Sequence, residues 1–456
     1  MRTWSKQPNK CAKPYALGRN DISDIVSSQM AQKDVLIRSL DQEDVAWLEE
    51  NKPLGMSQTN FLKSIIAGHR LSGGNEQGSL FSEFTNPGAT VFGTVPFRFI
   101  DLFAGIGGFR CGLTAVGGEC VYSSEWDKYS AATYEAWYGE RPDMRDVGEV
   151  EFEKIPDHDV LAAGFPCQPF SLAGVSKKNS LGRAHGFDDL GQGNLFFSIL
   201  RAIDAKHPPV VFLENVKNLK SHDRGNTWKI IRTELEGRGY HVFHDVIDAA
   251  GWVPQHRERI FVVAFDKTVF GEHHEINFEF PAIPAGTQQL STILDPAPDS
   301  KYMISDKLWS YLKAYAKKHR EKGNGFGYGI ADPSGVTRTM SARYHKDGSE
   351  ILIEQRGFRN PRRLTPKEAR HLLGFDDLVY APMFGHEKGF PQVVSDTQAY
   401  RQCGNAVVPQ VVEAVAKQIV KVMASAVLTT DAGCLLVGRS SRPKGDQQGG
   451  MALAGG

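Results

Sequence analysis

Short apolar runs alternate with helical segments from Phe97 to Phe265, and this alternation limits the possible folds more than any other feature of the chain. Helices are predicted at Gly108–Val116, Lys128–Tyr138, Asn194–Ala205 and Thr227–Arg238. Strands are predicted at Phe97–Phe103, Glu119–Ser123, Asp159–Ala163, Val210–Glu214 and Ile260–Phe265. Strands joined through helices of this length build parallel sheets, so we predict an α/β fold with a doubly wound, mostly parallel sheet. In such sheets ligands bind beyond the carboxyl ends of the strands.

The chain of 456 residues is too long for one ordinary domain. Between residues 266 and 360 the alternation stops, and Gly, Pro and charged residues surround one amphipathic helix at Asp306–Arg320. Two short helical patterns, at Asp41–Glu50 and Gln58–His69, indicate a loosely folded extension or a small helix-turn-helix module. Further helices are predicted at Thr365–Leu373 and Val408–Ala426. The predicted units are an N-terminal extension at 1–95, a main domain at 96–265, a smaller inserted domain at 266–360, the return of the main domain at 361–426, and a partly disordered tail at 427–456.

Composition excludes several classes of protein. The chain has no apolar run long enough to cross a membrane and no secretory signal at its start, so we expect a cytoplasmic protein. Its six cysteines form no CxxC pair, which argues against a disulfide framework and against a metal site. The formal net charge is zero, but this is weak evidence against nucleic-acid binding, which needs only a locally basic face.

Glycines follow the first predicted strand in the run Asp101–Gly108. Glycine lets a backbone approach a ligand closely, and the helix behind it offers free N–H groups. Such a turn also serves nucleotides, or is simply a tight connection. The next strand ends in Glu125 and Trp126, which suit ribose hydroxyls and an adenine ring. Asp146 stands where a third strand would end, and since no basic residue accompanies the glycines, the set suits a neutral adenosine.

Three groups at the other strand ends predict nucleophilic catalysis. Cys167 lies in Pro166-Cys167-Gln168-Pro169, where the prolines fix the backbone that carries the thiol. Glu214 ends a buried strand, and burial raises the pKa of a carboxyl group so that it can carry a proton near neutrality. Arg257 and Arg259 are two residues apart at a strand start, so they are predicted to share a face and clamp an oxygen or a carboxylate.

The order of these motifs resembles that of the C5-cytosine DNA methyltransferases across roughly Phe97–Val422. The family's last motif is matched by Gly404-Asn405-Ala406-Val407, and in the family this segment folds back onto the first glycine turn. The resemblance implies an S-adenosyl-L-methionine-dependent methyltransferase fold, no metal, duplex DNA as substrate, and catalysis by Cys167, Glu214, Arg257 and Arg259. The implied cofactor residues are Phe103, Gly105, Ile106, Gly107, Glu125, Trp126, Asp146, Val147, Gly164, Leu195, Asn405 and Val407.

The inserted domain is similar to the target-recognition region of the Dcm, EcoRII and SsoII group, which reads duplexes beginning CC and ending GG. The resemblance implies methylation of the inner cytosine of CCWGG or CCNGG by a bacterial, nucleoid-associated monomer that works alone or beside a cognate restriction endonuclease. The implied DNA contacts are Ser171, Lys177, Lys178, Arg183, Arg338, Thr339 and Arg343. Met340, Cys403 and Ala406 depart from the family's common residues.

Two alternatives remain open at this stage. A tRNA cytosine-5 methyltransferase would share the fold and the Pro-Cys and Glu-Asn-Val motifs, although the Cys-Phe-Thr segment typical of that class is absent. A DNA-binding transcriptional regulator would act through residues 1–95.

Overall fold

The computed structural model describes residues 97–166, 195–286, 288–355 and 357–428. The predicted N-terminal extension, with its two helical patterns, and the predicted tail beyond residue 428 lie outside the described residues, as do Cys167 and the loop that follows it.

Six strands form one sheet in the order β2-β1-β3-β4-β6-β5. The first four strands along the chain pair in parallel, whereas β6 runs antiparallel to both β4 and β5. The predicted mostly parallel α/β sheet is therefore confirmed. The strands are β1 Phe97–Leu102, β2 Gly118–Ser124, β3 Val160–Gly164, β4 Val210–Val216, β5 Tyr240–Asp248 and β6 Glu258–Asp266. A separate two-stranded ribbon joins β7 Leu352–Ile353 to β8 Arg362–Arg363.

The helices mostly follow the predicted positions, with shifts of one or two residues at their ends. None of the described helices is long and apolar enough to cross a membrane. The helices are α1 Gly108–Thr114, α2 Lys128–Tyr138, α3 Leu195–Lys206, α4 Asn226–Gly237, α5 Lys267–Phe270, α6 Asp306–Glu321, α7 Tyr344–Asp347, α8 Pro366–Leu372, α9 Asp396–Asn405 and α10 Pro409–Leu428.

Helices cover both faces of the sheet, because alternate strand residues point to opposite sides. On one face Phe99 belongs to a core that α1, α2 and α10 complete. On the other face its neighbour Ile100 belongs to a second core, which includes residues of α3 and α4. The helices pack on the two faces of the sheet and leave uncovered the end at which the parallel strands β1 to β4 terminate.

The prediction that Asp146 ends a third strand was wrong. A single parallel bridge, Ser124 to Asp143, replaces that strand. Asp146 instead accepts a hydrogen bond from Gly148 N at 2.8 Å and begins a short 3-10 turn. The run Pro142–Val147 has too few apolar residues to hold a buried strand.

Replacing Gly404 in α9 by alanine is expected to reduce the free energy of unfolding by about 2–3 kcal/mol. A Cβ atom at Gly404 would overlap the backbone of Ser341 and Ala342, which cannot yield as a flexible side chain does. Urea denaturation measures the change. Gly237→Ala is the matched control, because Gly237 is exposed and has nothing near its Cβ position; an equal loss in both variants would refute the packing explanation.

Candidate active site

The turn after β1 adopts the left-handed conformation expected of a close ligand approach. Phe103, Gly105 and Gly107 have positive φ angles of 59°, 56° and 79°. Only glycine takes such angles without strain, so Phe103 is held there by its surroundings. Gly105 N donates to Glu125 Oε2 at 2.8 Å, and this bond fixes the glycine turn to the end of β2.

Glu125 and Trp126 present an acid and an aromatic surface beside that turn. Glu125 Oε1 accepts from Asp127 N at 2.8 Å, and burial raises the pKa of the carboxyl group. Trp126 is 75% exposed, so one large aromatic face is open to a ligand. Arg110, on helix α1 behind the turn, donates to Glu140 at 3.0 Å.

The C-terminal Gly-Asn segment packs against the same turn. A Cβ atom at Gly108 would lie 2.5 Å from Val407 O, so the two backbones are in direct contact. Asn405 is exposed between the buried Gly404 and Ala406, which leaves its amide free to meet a ligand. Ile106 and Val147 are buried, Leu195 and Gly164 are half-buried, and Asp146 is exposed.

Glu214 lies beside the chain that leads to Cys167. In the β3–β4 pairing Gly164 stands opposite Glu214, and its Cβ position is 3.4 Å from Glu214 Oε2. Asn215 Nδ2 donates to Phe165 O at 2.8 Å, which fixes the backbone two residues before Cys167. The described chain stops at Pro166, so the predicted nucleophile itself lies outside the described residues.

Arg259 forms the ion pair with Glu214, its Nε lying 3.0 Å from Glu214 Oε1. The antiparallel direction of β6 brings this about, because the start of β6 then meets the end of β4. Glu214 is only 9% exposed, and burial raises the pKa of its carboxyl group while Arg259 and then Arg257 lower it. Glu214 is therefore a buried carboxyl group held against a fixed cation.

Arg257 does not make the contact of Arg259, which corrects the prediction that the two arginines clamp one group. Its guanidinium is 1% exposed and donates to the carbonyl oxygens of Met340, Gly404 and Ala406 at 3.0, 2.9 and 2.7 Å. Burial lowers its pKa to about 9.

The predicted DNA-reading residues fall into two groups. Arg338, Thr339 and Arg343 are exposed, and neither arginine forms an ion pair within the described part of the chain. Thr339 Oγ1 donates to His256 O at 2.6 Å. Ser171, Lys177, Lys178 and Arg183 lie outside the described residues.

Two residues of the site were missed as functional candidates. Gln255, fully buried, accepts from Met340 N at 2.7 Å and donates to Leu372 O at 3.1 Å. Asn215 holds Phe165. Both stand inside motifs that the sequence displayed, Gln-x-Arg-x-Arg and Glu-Asn-Val, so a buried polar residue beside a catalytic one was the available signal.

Comparisons with known proteins identify the family of this chain. Residues 97–421 match the family model described as C-5 cytosine-specific DNA methylase. A DNA-cytosine methyltransferase of Escherichia coli K12 is 48% identical over 70% of this chain and 77% of its own length. The type II methyltransferase M.SsoII of Shigella sonnei is 44% identical over 72% and 81%.

Solved structures share the fold at low identity. The Dnmt2 methyltransferase of S. pombe superposes with a TM-score of 0.52 at 17% identity, over 72% of this chain and 99% of its own. A prophage-encoded putative DNA modification methyltransferase of E. coli gives a TM-score of 0.51 at 19% identity, over 72% and 99%. These two similarities establish the methyltransferase fold alone.

Proposed function

Because the chain belongs to the C-5 cytosine-specific DNA methylases, we propose that it methylates the inner cytosine of CCWGG or CCNGG through a covalent adduct with Cys167. It is a DNA (cytosine-5)-methyltransferase, and the expected similarity to the Dcm and SsoII group is confirmed by its relatives.

The observation that carries the proposal is the buried Glu214–Arg259 pair beside the strand that leads to Cys167. Cytosine C5 is too weak a nucleophile to attack a methyl sulfonium directly. Addition of the Cys167 thiolate to C6 moves an electron pair toward N3 and leaves C5 nucleophilic. Glu214 stabilises the charge at N3 by donating its proton, and Arg259 holds the carbonyl oxygen O2 of the ring.

The remaining steps restore the enzyme. C5 takes the methyl group and a base removes the C5 proton. The electron pair of that C–H bond forms the C5–C6 double bond and expels the Cys167 thiolate from C6, while N3 returns its proton to Glu214. These ring atoms lie inside a stacked duplex, so the cytosine must be flipped out of the helix. Ser171, Lys177, Lys178 and Arg183 follow Cys167 closely in sequence, and we assign them to contacts with the DNA around the flipped base.

The residues at the glycine turn fit S-adenosyl-L-methionine, which supplies an electrophilic methyl group when bound. Glu125 uses one lone pair of each oxygen on a backbone N–H, and an ionised carboxylate has others to accept from ribose hydroxyls. Trp126 offers its exposed ring to adenine. We assign cofactor contacts to Phe103, Gly105, Ile106, Gly107, Glu125, Trp126, Asp146, Val147, Gly164, Leu195, Asn405 and Val407.

Sequence reading is assigned to the exposed arginines of the insert. Arg338 and Arg343 can each donate two hydrogen bonds to a guanine edge in the major groove, and Thr339 lies between them. The resemblance to the group that reads CC and GG ends supports a site of this type. Relatives named as type II methyltransferases support a role in restriction-modification.

Bisulfite sequencing of a host that lacks cytosine methylation, expressing this protein, tests the proposal. We expect unconverted cytosine at the inner position of CCWGG or CCNGG and nowhere else. Arg338→Gln is expected to relax or abolish the site preference, with Lys318→Gln on the exposed helix α6 as the matched loss of one charge. Methylation at unrelated sites would overturn the assigned target, and labelled methyl entering tRNA instead of duplex DNA would overturn the substrate.

A further inference from the structure

We propose that Gln255 and Arg257 are positioning residues that couple cofactor binding to DNA-site discrimination by holding the peptide groups of Met340. The proposal rests on the proposed function, because it takes Arg338–Arg343 as the DNA-reading segment. It also takes Gly404–Val407 as part of the cofactor site. Neither Gln255 nor Arg257 needs to touch DNA or cofactor in this role.

Both peptide groups of Met340 are bound by side chains two residues apart. Gln255 Oε1 accepts from Met340 N at 2.7 Å, and Arg257 Nη1 donates to Met340 O at 3.0 Å. All three residues are at most 1% exposed, so these bonds lie in the interior of the protein. Main-chain bonds continue the attachment: His256 N donates to Thr337 O at 2.8 Å and Thr337 N to Pro254 O at 2.9 Å. The reading segment is thus fixed at its centre.

The same guanidinium also binds Gly404–Val407, the segment assigned to the cofactor site. Arg257 Nη2 donates to Gly404 O at 2.9 Å and to Ala406 O at 2.7 Å, the two carbonyl groups on either side of the exposed Asn405. Gly404 also lies directly against the backbone of Ser341 and Ala342. One buried side chain therefore joins the residues that read DNA to the residues that meet the cofactor.

The geometry of the guanidinium makes this connection stiff. Its planar fork fixes its acceptors relative to one another, whereas a lysine offers a compact charge on a flexible stem. Leaving a buried donor of Arg257 without its acceptor costs free energy. A movement that keeps Arg338–Arg343 and Gly404–Val407 in the same relative position is therefore favoured over one that separates them. Cofactor that fixes Gly404–Val407 then favours one position of Arg338–Arg343. Reciprocally, cognate DNA favours cofactor binding by the same factor.

The test measures the affinity for duplex DNA with and without S-adenosylhomocysteine, using fluorescence anisotropy and the duplex identified by bisulfite mapping. We expect S-adenosylhomocysteine to tighten cognate binding by about 10-fold in the unmodified protein, within the usual range for coupled sites. In Arg257→Lys we expect this factor to fall to roughly 2 or less, because the fork that holds both segments is gone. Binding of an unrelated duplex should change little in either protein.

Arg362→Lys is the matched control. Arg362 is also fully buried, but it donates to Glu368 and to Arg363 O and contacts neither segment. We expect it to lose thermal stability as Arg257→Lys does and to keep the unmodified coupling factor. A factor near 1 in the unmodified protein, or an unchanged factor in Arg257→Lys, would overturn the proposal.

If Arg257→Lys does not fold, hydrogen exchange measured on the unmodified protein tests the coupling instead. S-adenosylhomocysteine alone should slow exchange in peptides that contain Thr337–Ser341, and unchanged exchange there would overturn the coupling. Failure of the proposed function can be distinguished from failure of the coupling. The first appears in the bisulfite experiment, as methylation at other sites or no methylation, before DNA binding is measured. A different DNA site simply supplies a different duplex for the same measurement.

Discussion

Cys167→Ser is expected to reduce the rate of methyl transfer to duplex DNA by at least about 10³-fold, because a serine hydroxyl cannot supply the nucleophile that adds to C6. The other thiols in the described part of the chain cannot take over. Burial raises the pKa of Cys111 to about 12, of Cys120 to about 11 and of Cys403 to about 12, so none of them ionises near neutrality.

Transfer of labelled methyl groups under single-turnover conditions measures this effect. Cys120→Ser is the control and should keep the rate within about twofold, since the half-buried Cys120 thiol is un-ionised near neutrality and serine keeps a polar hydrogen at this position. Duplex DNA containing 5-fluorocytosine gives a second readout. Its C5 carries fluorine in place of the proton that the base must remove, so elimination is blocked and the adduct with Cys167 persists. A Cys167→Ser protein that transfers methyl at the normal rate, or still forms that adduct, would disprove the covalent mechanism.

Glu214→Gln is expected to slow methyl transfer by roughly 10²–10⁴-fold, the range for losing a positioned proton donor. Glutamine keeps the shape of the side chain and can donate a hydrogen bond, but it has no acidic proton to transfer to N3. Arg259 also loses its ionic partner at 3.0 Å and holds the cytosine oxygen less well. The measurement is the rate of a single turnover with saturating DNA and cofactor.

The same variant is expected to be at least as stable as the unmodified protein at neutral pH. Burial raises the pKa of Glu214 in the folded state, even with Arg259 and Arg257 opposing it, so ionisation opposes folding. This destabilisation is absent below the pKa of Glu214 in the unfolded chain. It increases as the pH rises from that value to the higher pKa of Glu214 in the folded protein. The melting temperature of Glu214→Gln should therefore rise relative to that of the unmodified protein as the pH increases above 4.5. A variant that is both inactive and less stable at neutral pH would show that Glu214 serves mainly as structure.

Strongly apolar segments were predictable from sequence, and half-exposed ones were not. Strands β1, β3 and β4 are continuous buried runs, and their positions followed from composition. Strand β5 was missed because it is the sheet's edge: His241, His244 and Asp245 interrupt its apolar residues, and most of it is only half-buried. Helix α9 was missed because Asp396–Asn405 is mainly polar, although Ser395 caps it as the pattern Ser-x-x-Gln would indicate.

The candidate site was predictable to the level of motifs but not of contacts. The sequence predicted an arginine beside Glu214. Because Arg257 and Arg259 belong to the same short motif, the sequence could not show which of them pairs with Glu214. That choice depends on where β6 begins and on its antiparallel direction, and both are tertiary facts. The three carbonyl acceptors of Arg257 come from segments 83 to 149 residues away, so no local pattern could reveal them.

The contact between Gly108 and Val407 matters while the protein is being made. About 300 residues separate them, and a ribosome adding roughly 5–20 residues per second takes about 15–60 s to join the two halves of the pocket. Until then α1 lacks the helix whose Val412 packs on Gly112. During synthesis the glycine turn and α1 therefore remain without the segment that covers them in the folded protein.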